Sequence, residues 1–228
     1  MKFFIENQKV EKEVEWVLGQ LRLHMNGATT AQMENSGINY RINYGVGLPH
    51  LQQLSKRIPV SYELAERLWF LEIRETMILA SMIVPADKMT VEKCLQWATK
   101  ISNKDLVERS AMYLWSRLEN SSLLCVTWLA GESTYLKATS FYTIGRILQA
   151  KQSGSVPTAR DLVASVNNSN ELYVLKALSF ALRMKLRVSA SEREEIKKLT
   201  NEFKESGSTN KKIVAQELLT EIEFTEAK

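Results

Sequence analysis

Lysine and arginine crowd one stretch of this chain without matching acids. Residues 134–187 hold eight basic side chains, Lys137, Arg146, Lys151, Arg160, Lys176, Arg183, Lys185 and Arg187, against Asp161 and Glu171. That stretch carries +6, more than the +4 of the whole 228-residue chain. Elsewhere the charges balance: 8 basic and 8 acidic over residues 1–72, 7 and 7 over 73–133, and 7 against 9 over 188–228. A basic block within a folded region is the electrostatic footprint of a polyanion, because grouped cations hold phosphates and release their counter-ions. Arg146, Lys176, Arg183 and Lys185 are therefore candidate contacts to a nucleic-acid backbone. A solvated helix face accounts for the same block, since only some of the eight can share one face.

The other reactive residue types point to no chemistry of their own. His24 and His50 have no partners at ligand spacing, so no metal site and no cofactor is expected. Cys94 and Cys125 sit in apolar helical patterns and read as buried reduced thiols. Trp16, Trp69, Trp97, Trp115 and Trp128 follow helical apolar periodicity, as core residues do. So do Met77, Met82, Met89 and Met112.

The elements that position these residues are helices. Glycine and proline number only 9 and 4, too few for the many turns of a sandwich or barrel. Val10, Val14, Val17, Leu18 and Leu21 mark an amphipathic helix over 2–24, closed by Asn26-Gly27. Residues 36–48, with three glycines, read as a loop. Helices are predicted over 49–58, 61–71, 73–84, 90–100, 103–118, 121–130, 133–150, 158–166, 170–186, 190–205 and 209–222. Their caps are Ser61, Thr90, Asn103, Ser133, Thr158, Asn170 and Thr209. Connections this short make consecutive helices antiparallel neighbours.

The inner helices repeat. Tyr135-Leu136-Lys137-Ala138, Val174-Leu175-Lys176-Ala177 and Lys212-Ile213-Val214-Ala215 recur at intervals of 39 and 38, and the Leu106–Ala111 segment is a looser copy. A small residue at a fixed point lets neighbouring helices approach. A two-helix unit with a period near 40 is the signature of HEAT or armadillo arrays. The expected fold is all-α, a HEAT-like α-helical repeat solenoid (an α-α superhelix), formed as a single domain over 1–228 with a frayed tail at 225–228.

Several segments resemble the AlkD-type DNA alkylation repair family. Gly45-Val46-Gly47-Leu48-Pro49-His50-Leu51-Gln52 is similar to its Gly-Val-x-x-Pro-x-Leu-Arg segment. Leu68-Trp69 with Glu75-Thr76-Met77-Ile78-Leu79-Ala80 resembles its Leu-Trp … Glu-x-x-x-Leu-Ala pair, and Ile101–Glu108 the start of its catalytic helix. Lys176-Ala177-Leu178-Ser179-Phe180-Ala181-Leu182-Arg183 resembles its late Lys-Ala-x-x-Trp-x-Leu-Arg segment. The resemblance spans residues 25–222. It implies HEAT-like repeats around duplex DNA and, in active members, excision of cationic N-alkylated purines without base flipping.

Carried residue by residue, the resemblance places the active-site carboxylate on Glu108, the two cleft tryptophans on Lys104 and Phe180, and the phosphate-binding arginine on Lys137. Each departs from the pattern. Glu108 is one methylene longer, Phe180 is a smaller aromatic, and Lys137 lacks the bidentate fork. At Lys104 an aromatic wall becomes a cation. Excision builds a positive oxocarbenium-like sugar that a carboxylate and aromatic faces stabilise and an ammonium opposes. Lys104 and Glu108 share one helix face and also read as a plain i,i+4 ion pair.

Two functions follow as expectations. One is a DNA-binding member of that family, gripping duplex DNA, damaged or branched, in a basic concave cleft, with N-alkylpurine glycosylase activity weak or lost. The other is a non-catalytic HEAT-repeat scaffold for protein partners. No apolar run approaches the roughly 20 residues of a membrane span. The first residues, Met1–Glu6, meet acid too early for a signal peptide. The chain thus reads as a cytoplasmic monomer.

Overall fold

The computed structural model describes residues 7–151, 155–166 and 169–227. The expectation drawn from Met1–Glu6 lies outside them. Thirteen α-helices and no β-strand occur among the described residues, and Ile42 and Ile73 form an isolated bridge. The chain divides after Leu114 into two compact units.

The first unit contains α1 (Gln8–Leu23), α2 (Gly27–Asn35), α3 (Leu48–Ser55), α4 (Tyr62–Trp69), α5 (Arg74–Ile83), α6 (Val91–Ala98) and α7 (Lys104–Tyr113). Val10, Val14, Val17 and Leu21 form the buried stripe of α1, which packs on α4. α5 is buried along most of its length and receives α3, α4 and α7. Trp69 and Trp97 stack in this core, ring centroids 4.7 Å apart.

α2 has no apolar stripe and no buried residue, which is why periodicity leaves it unassigned. It is held by its ends instead. The Asn26 side chain accepts from Thr29 N–H, and Asn26 N–H donates to the Tyr44 carbonyl at 2.8 Å. The returning chain comes so close that a Cβ on Gly45, at φ +70°, would lie 2.1 Å from the Asn26 oxygen. Only glycine suits that position.

A second departure concerns the helix expected over 103–118. α7 stops at Tyr113, and Leu114 leaves helical geometry at φ −123°, ψ −71°. Leu114 and Trp115, at and just beyond the break, are completely buried.

The second unit contains α8 (Ser121–Ala130), α9 (Thr134–Gln149), α10 (Ala159–Ala164), α11 (Leu172–Val188), α12 (Arg193–Glu205) and α13 (Thr209–Glu226). α9 packs on α8 and α11, α11 on α13, and α12 on α10 and α13. The repeated alanines explain the inner series: Ala138, Ala177 and Ala215 are all buried, on α9, α11 and α13. Thr158 and Asp161 form a reciprocal capping box at α10. Two expected caps shift by one residue. Glu171 rather than Asn170 precedes α11, without a side-chain cap, and Ser208 rather than Thr209 caps α13. α13 also continues to Glu226, past its expected end at 222.

Candidate nucleic-acid interface

The fold sorts the eight basic side chains of residues 134–187 into two groups. Four meet carboxylates. Arg160 pairs with Glu195 and Glu202, Lys176 approaches Glu217 at 3.8 Å, and Lys185 pairs with Glu192 at 2.6 Å. The Nε and Nη2 groups of Arg187 donate side by side to the two carboxylate oxygens of Glu221, at 2.7 and 2.8 Å. Every one of these acids comes from the acidic last quarter of the chain. Lys185 is 2% exposed, so its expected role as a backbone contact is corrected: it is an internal ion pair. It sits on α11 beside buried Met184 and Leu186, and its ammonium is neutralised without reaching solvent.

Lys137, Arg146, Lys151 and Arg183 have no carboxylate partner among the described residues. Lys137 reaches the Ser165 carbonyl at 2.8 Å from the N-terminal part of α9. Arg146 lies one residue after Gly145 on the same helix, with Nη1 donating to Gln149 Oε1 at 2.9 Å.

Phe180 organises the ground around Arg146. Gly145 leaves a gap on α9 that the Phe180 ring of α11 fills: a Cβ built on Gly145 would stand 2.4 Å from its Cδ1 and Cε1. Tyr142 flanks the ring with centroids 5.6 Å apart, and the Arg146 guanidinium lies 5.2 Å from its centroid. Lys176, Phe180, Arg183 and Arg187 follow i, i+4, i+7, i+11 spacing and so share one stripe of α11. Arg183 Nε is shielded from solvent and finds no acceptor among the described residues. The Tyr135 and Tyr173 rings, with centroids 5.6 Å apart, form a second aromatic contact between α9 and α11. Half-buried aromatic faces interleaved with unpaired guanidinium groups suit sugar–phosphate and base surfaces.

In the first unit, Asn103 caps α7 by accepting from Leu106 N–H at 3.0 Å. Lys104 and Glu108 are both exposed, one helical turn apart on its outer face. The inward face carries a group that sequence reading did not single out. Asp105, 8% exposed, accepts from Arg74 Nε at 2.7 Å, from Tyr40 OH at 3.2 Å and from Arg109 Nε at 3.2 Å. Arg74 also donates to the Val46 carbonyl and to Glu75. Glu75, fully buried, accepts the N–H groups of Tyr44 and Val46, each at 3.1 Å. This network ties residues 40–46 and α5 to the start of α7. Burial drives the Tyr40 hydroxyl well above its usual range, with the Asp105 carboxylate adding to the effect. Burial alone would lower the Arg74 pKa, but Asp105 and Glu75 outweigh it and raise it. The signal for this group in the sequence was weak: Arg74-Glu75 opens an otherwise apolar helix.

Among the described residues, no three His, Cys, Asp or Glu side chains gather as metal ligands, and no helix is long and apolar enough to cross a membrane.

Residues 17–195 match the family model described as DNA alkylation repair enzyme. No curated protein matches the chain. A solved structure from a family related to the HEAT-like repeat DNA glycosylases, with affinity for branched DNA structures, is similar over 82% of each chain. Its TM-score is 0.70 at 15% identity. That likeness shows the fold, an all-helical HEAT-like repeat.

Proposed function

This chain belongs to the DNA alkylation repair enzyme family, and from that premise we propose that it binds the DNA backbone while excising alkylated bases slowly or not at all. The observation that carries the reading is the Phe180 patch, where the Arg146 guanidinium lies against the ring and neither Arg146 nor Arg183, three residues beyond Phe180 on α11, has a carboxylate partner among the described residues. Lys176 lies on the same stripe of α11, weakened by Glu217 at 3.8 Å, while Lys137 sits on another face of α9, at the Ser165 carbonyl. The structural neighbour's affinity for branched DNA makes a junction as reasonable a substrate as a plain duplex.

The weak-excision half rests on α7. Glu108 is exposed and keeps the family's negative charge. Lys104, exposed one turn before it, is a cation where the family pattern has a π-face. A cation beside a developing oxocarbenium ion raises the barrier that the carboxylate lowers.

Fluorescence anisotropy with a labelled duplex and a labelled four-way junction tests the binding. Affinity should fall by orders of magnitude between roughly 50 and 200 mM salt if several phosphates are held. Arg146→Gln and Arg183→Gln should each weaken binding across sequences and reduce the salt slope by about 1. Lys185→Gln should lower stability and leave the slope alone. Absence of binding to either DNA at low salt would favour the second reading, a protein-binding scaffold. What speaks for that reading is the neutralisation of Arg160, Lys176, Lys185 and Arg187 by acids from residues 192–221.

A further inference from the structure

The chain has two histidines, 26 residues apart, and the first unit brings them together. His24 follows the last turn of α1 and His50 lies in the first turn of α3, with ring centroids 4.7 Å apart and planes tilted by 34°. They border a pocket of 190 Å³ together with Gln20, Gln53 and Arg57, against an apolar wall of Leu21, Val46 and Leu54. Every polar side chain at this pocket can donate an N–H, and none is a carboxylate. Arg57 is held at the rim. Its guanidinium lies 5.2 Å from the centroid of the Trp16 ring, and Nη1 donates to Gln20 Oε1 at 3.4 Å.

The surrounding sequence points the same way. Between Trp16 and Tyr62 the acidic side chain is Glu34, whereas Arg22, Arg41, Lys56 and Arg57 are basic. The even balance over residues 1–72 hides this local excess, because the compensating acids cluster before residue 16 and after residue 62.

We propose that the His24–His50–Arg57 pocket binds a phosphate group, and that in the DNA complex it seats a backbone phosphate. A phosphate offers several acceptor oxygens in different directions, which suits a guanidinium fork, two imidazoles and two amides converging from two helices. A carboxylate, with two coplanar oxygens, would leave some of those donors unused. The assignment to DNA rests on the DNA-binding reading given above; the phosphate chemistry of the pocket does not.

With two histidines in the chain, their imidazole NMR signals report on this pocket directly. The full-length labelled protein is titrated separately with a short duplex, with inorganic phosphate and with sodium chloride. Both imidazole signals should move with the duplex at low salt and remain still in chloride. Arg57→Gln, at an exposed position, should abolish the movement, weaken duplex binding several-fold and cut the salt slope by about 1; its circular dichroism shows whether folding is kept. The double variant His24→Asn/His50→Asn should weaken binding in the same direction. If inorganic phosphate moves the signals and bound duplex does not, the pocket serves free phosphate and the DNA assignment is overturned. If anisotropy reports duplex binding while neither titrant moves the signals, this inference is overturned and the DNA-binding reading stands. If phosphate moves them but no DNA binds, the DNA-binding reading fails and the phosphate pocket stands.

Discussion

The Phe180 ring occupies the space that a side chain on Gly145 would need, with its Cδ1 and Cε1 2.4 Å from the ideal Cβ position. Two adjacent helices, α9 and α11, thereby come close enough for Arg146 to lie against the same ring. Alanine at 145 would gain about 1 kcal/mol in helix propensity but must displace the ring, at a cost of about 1–3 kcal/mol. Gly145→Ala should therefore lower stability modestly and weaken DNA binding, read by thermal melting and anisotropy. In a Phe180→Ala background the same change should stabilise, because the clash is gone. Stabilisation with Phe180 present would contradict this packing.

Asp105 should matter more for stability than any exposed carboxylate. Removing one partner of a buried ion pair leaves the other charge without compensation and costs about 3–5 kcal/mol. Asp105→Asn should reach the lower end of that range in urea unfolding, because its amide can still accept one hydrogen bond. Arg74→Met combined with Asp105→Leu should not recover the loss, because it also takes the cation away from the fully buried Glu75. A near-neutral Asp105→Asn would mean that solvent reaches the network.

The thiols set an alkaline limit. Burial raises Cys94 from its usual 9.0 to about 11 and Cys125 to about 12. The folded chain then keeps protons that the unfolded chain releases, so stability falls as pH rises above about 9 and levels off only past the folded values. The half-buried Tyr40 adds a loss of the same sign at higher pH. Urea midpoints should decline between pH 8.5 and 11, and less steeply in Cys94→Ala/Cys125→Ala. At pH 8 the native protein should show no fast thiol reaction with a disulfide reagent, and two thiols in guanidinium.

For excision, Lys104 is the position to change. Two unit charges about 6 Å apart, as on neighbouring turns, interact by roughly 2–3 kcal/mol at an effective dielectric near 20. Felt only in the transition state, that is about two powers of ten in rate. Release of alkylated purine should rise in Lys104→Trp and be lost again when Glu108→Ala is added. Robust release by the wild type, abolished by Glu108→Ala alone, would show that the lysine does not oppose the chemistry.

Much of the fold could be read from local signals. Apolar periodicity, caps such as Thr90, Asn103 and Ser133, and the recurring alanines concern residues within one or two turns, or one repeat, of each other. The hydrogen bonds and close helix approaches they predict depend mainly on those neighbours. α2 escaped because its stability comes from Asn26 meeting Tyr44, a contact across 18 residues with no periodic trace. The end of α7 escaped because Leu114 leaves helical geometry at a point that no glycine or proline marks.

The sequence by itself determined that this is a helical repeat of the alkylation repair type, with a basic stretch and with Glu108 and Lys104 one turn apart. Only the tertiary structure decided which charges remain available. Lys185 and Arg187 look alike in sequence to Arg146 and Arg183, yet the first two meet Glu192 and Glu221. It likewise joined His24 to His50 and buried Asp105 beneath the face that carries Glu108. Electrostatic partnership depends on distance in space and on loss of solvent, and neither is encoded in spacing along the chain.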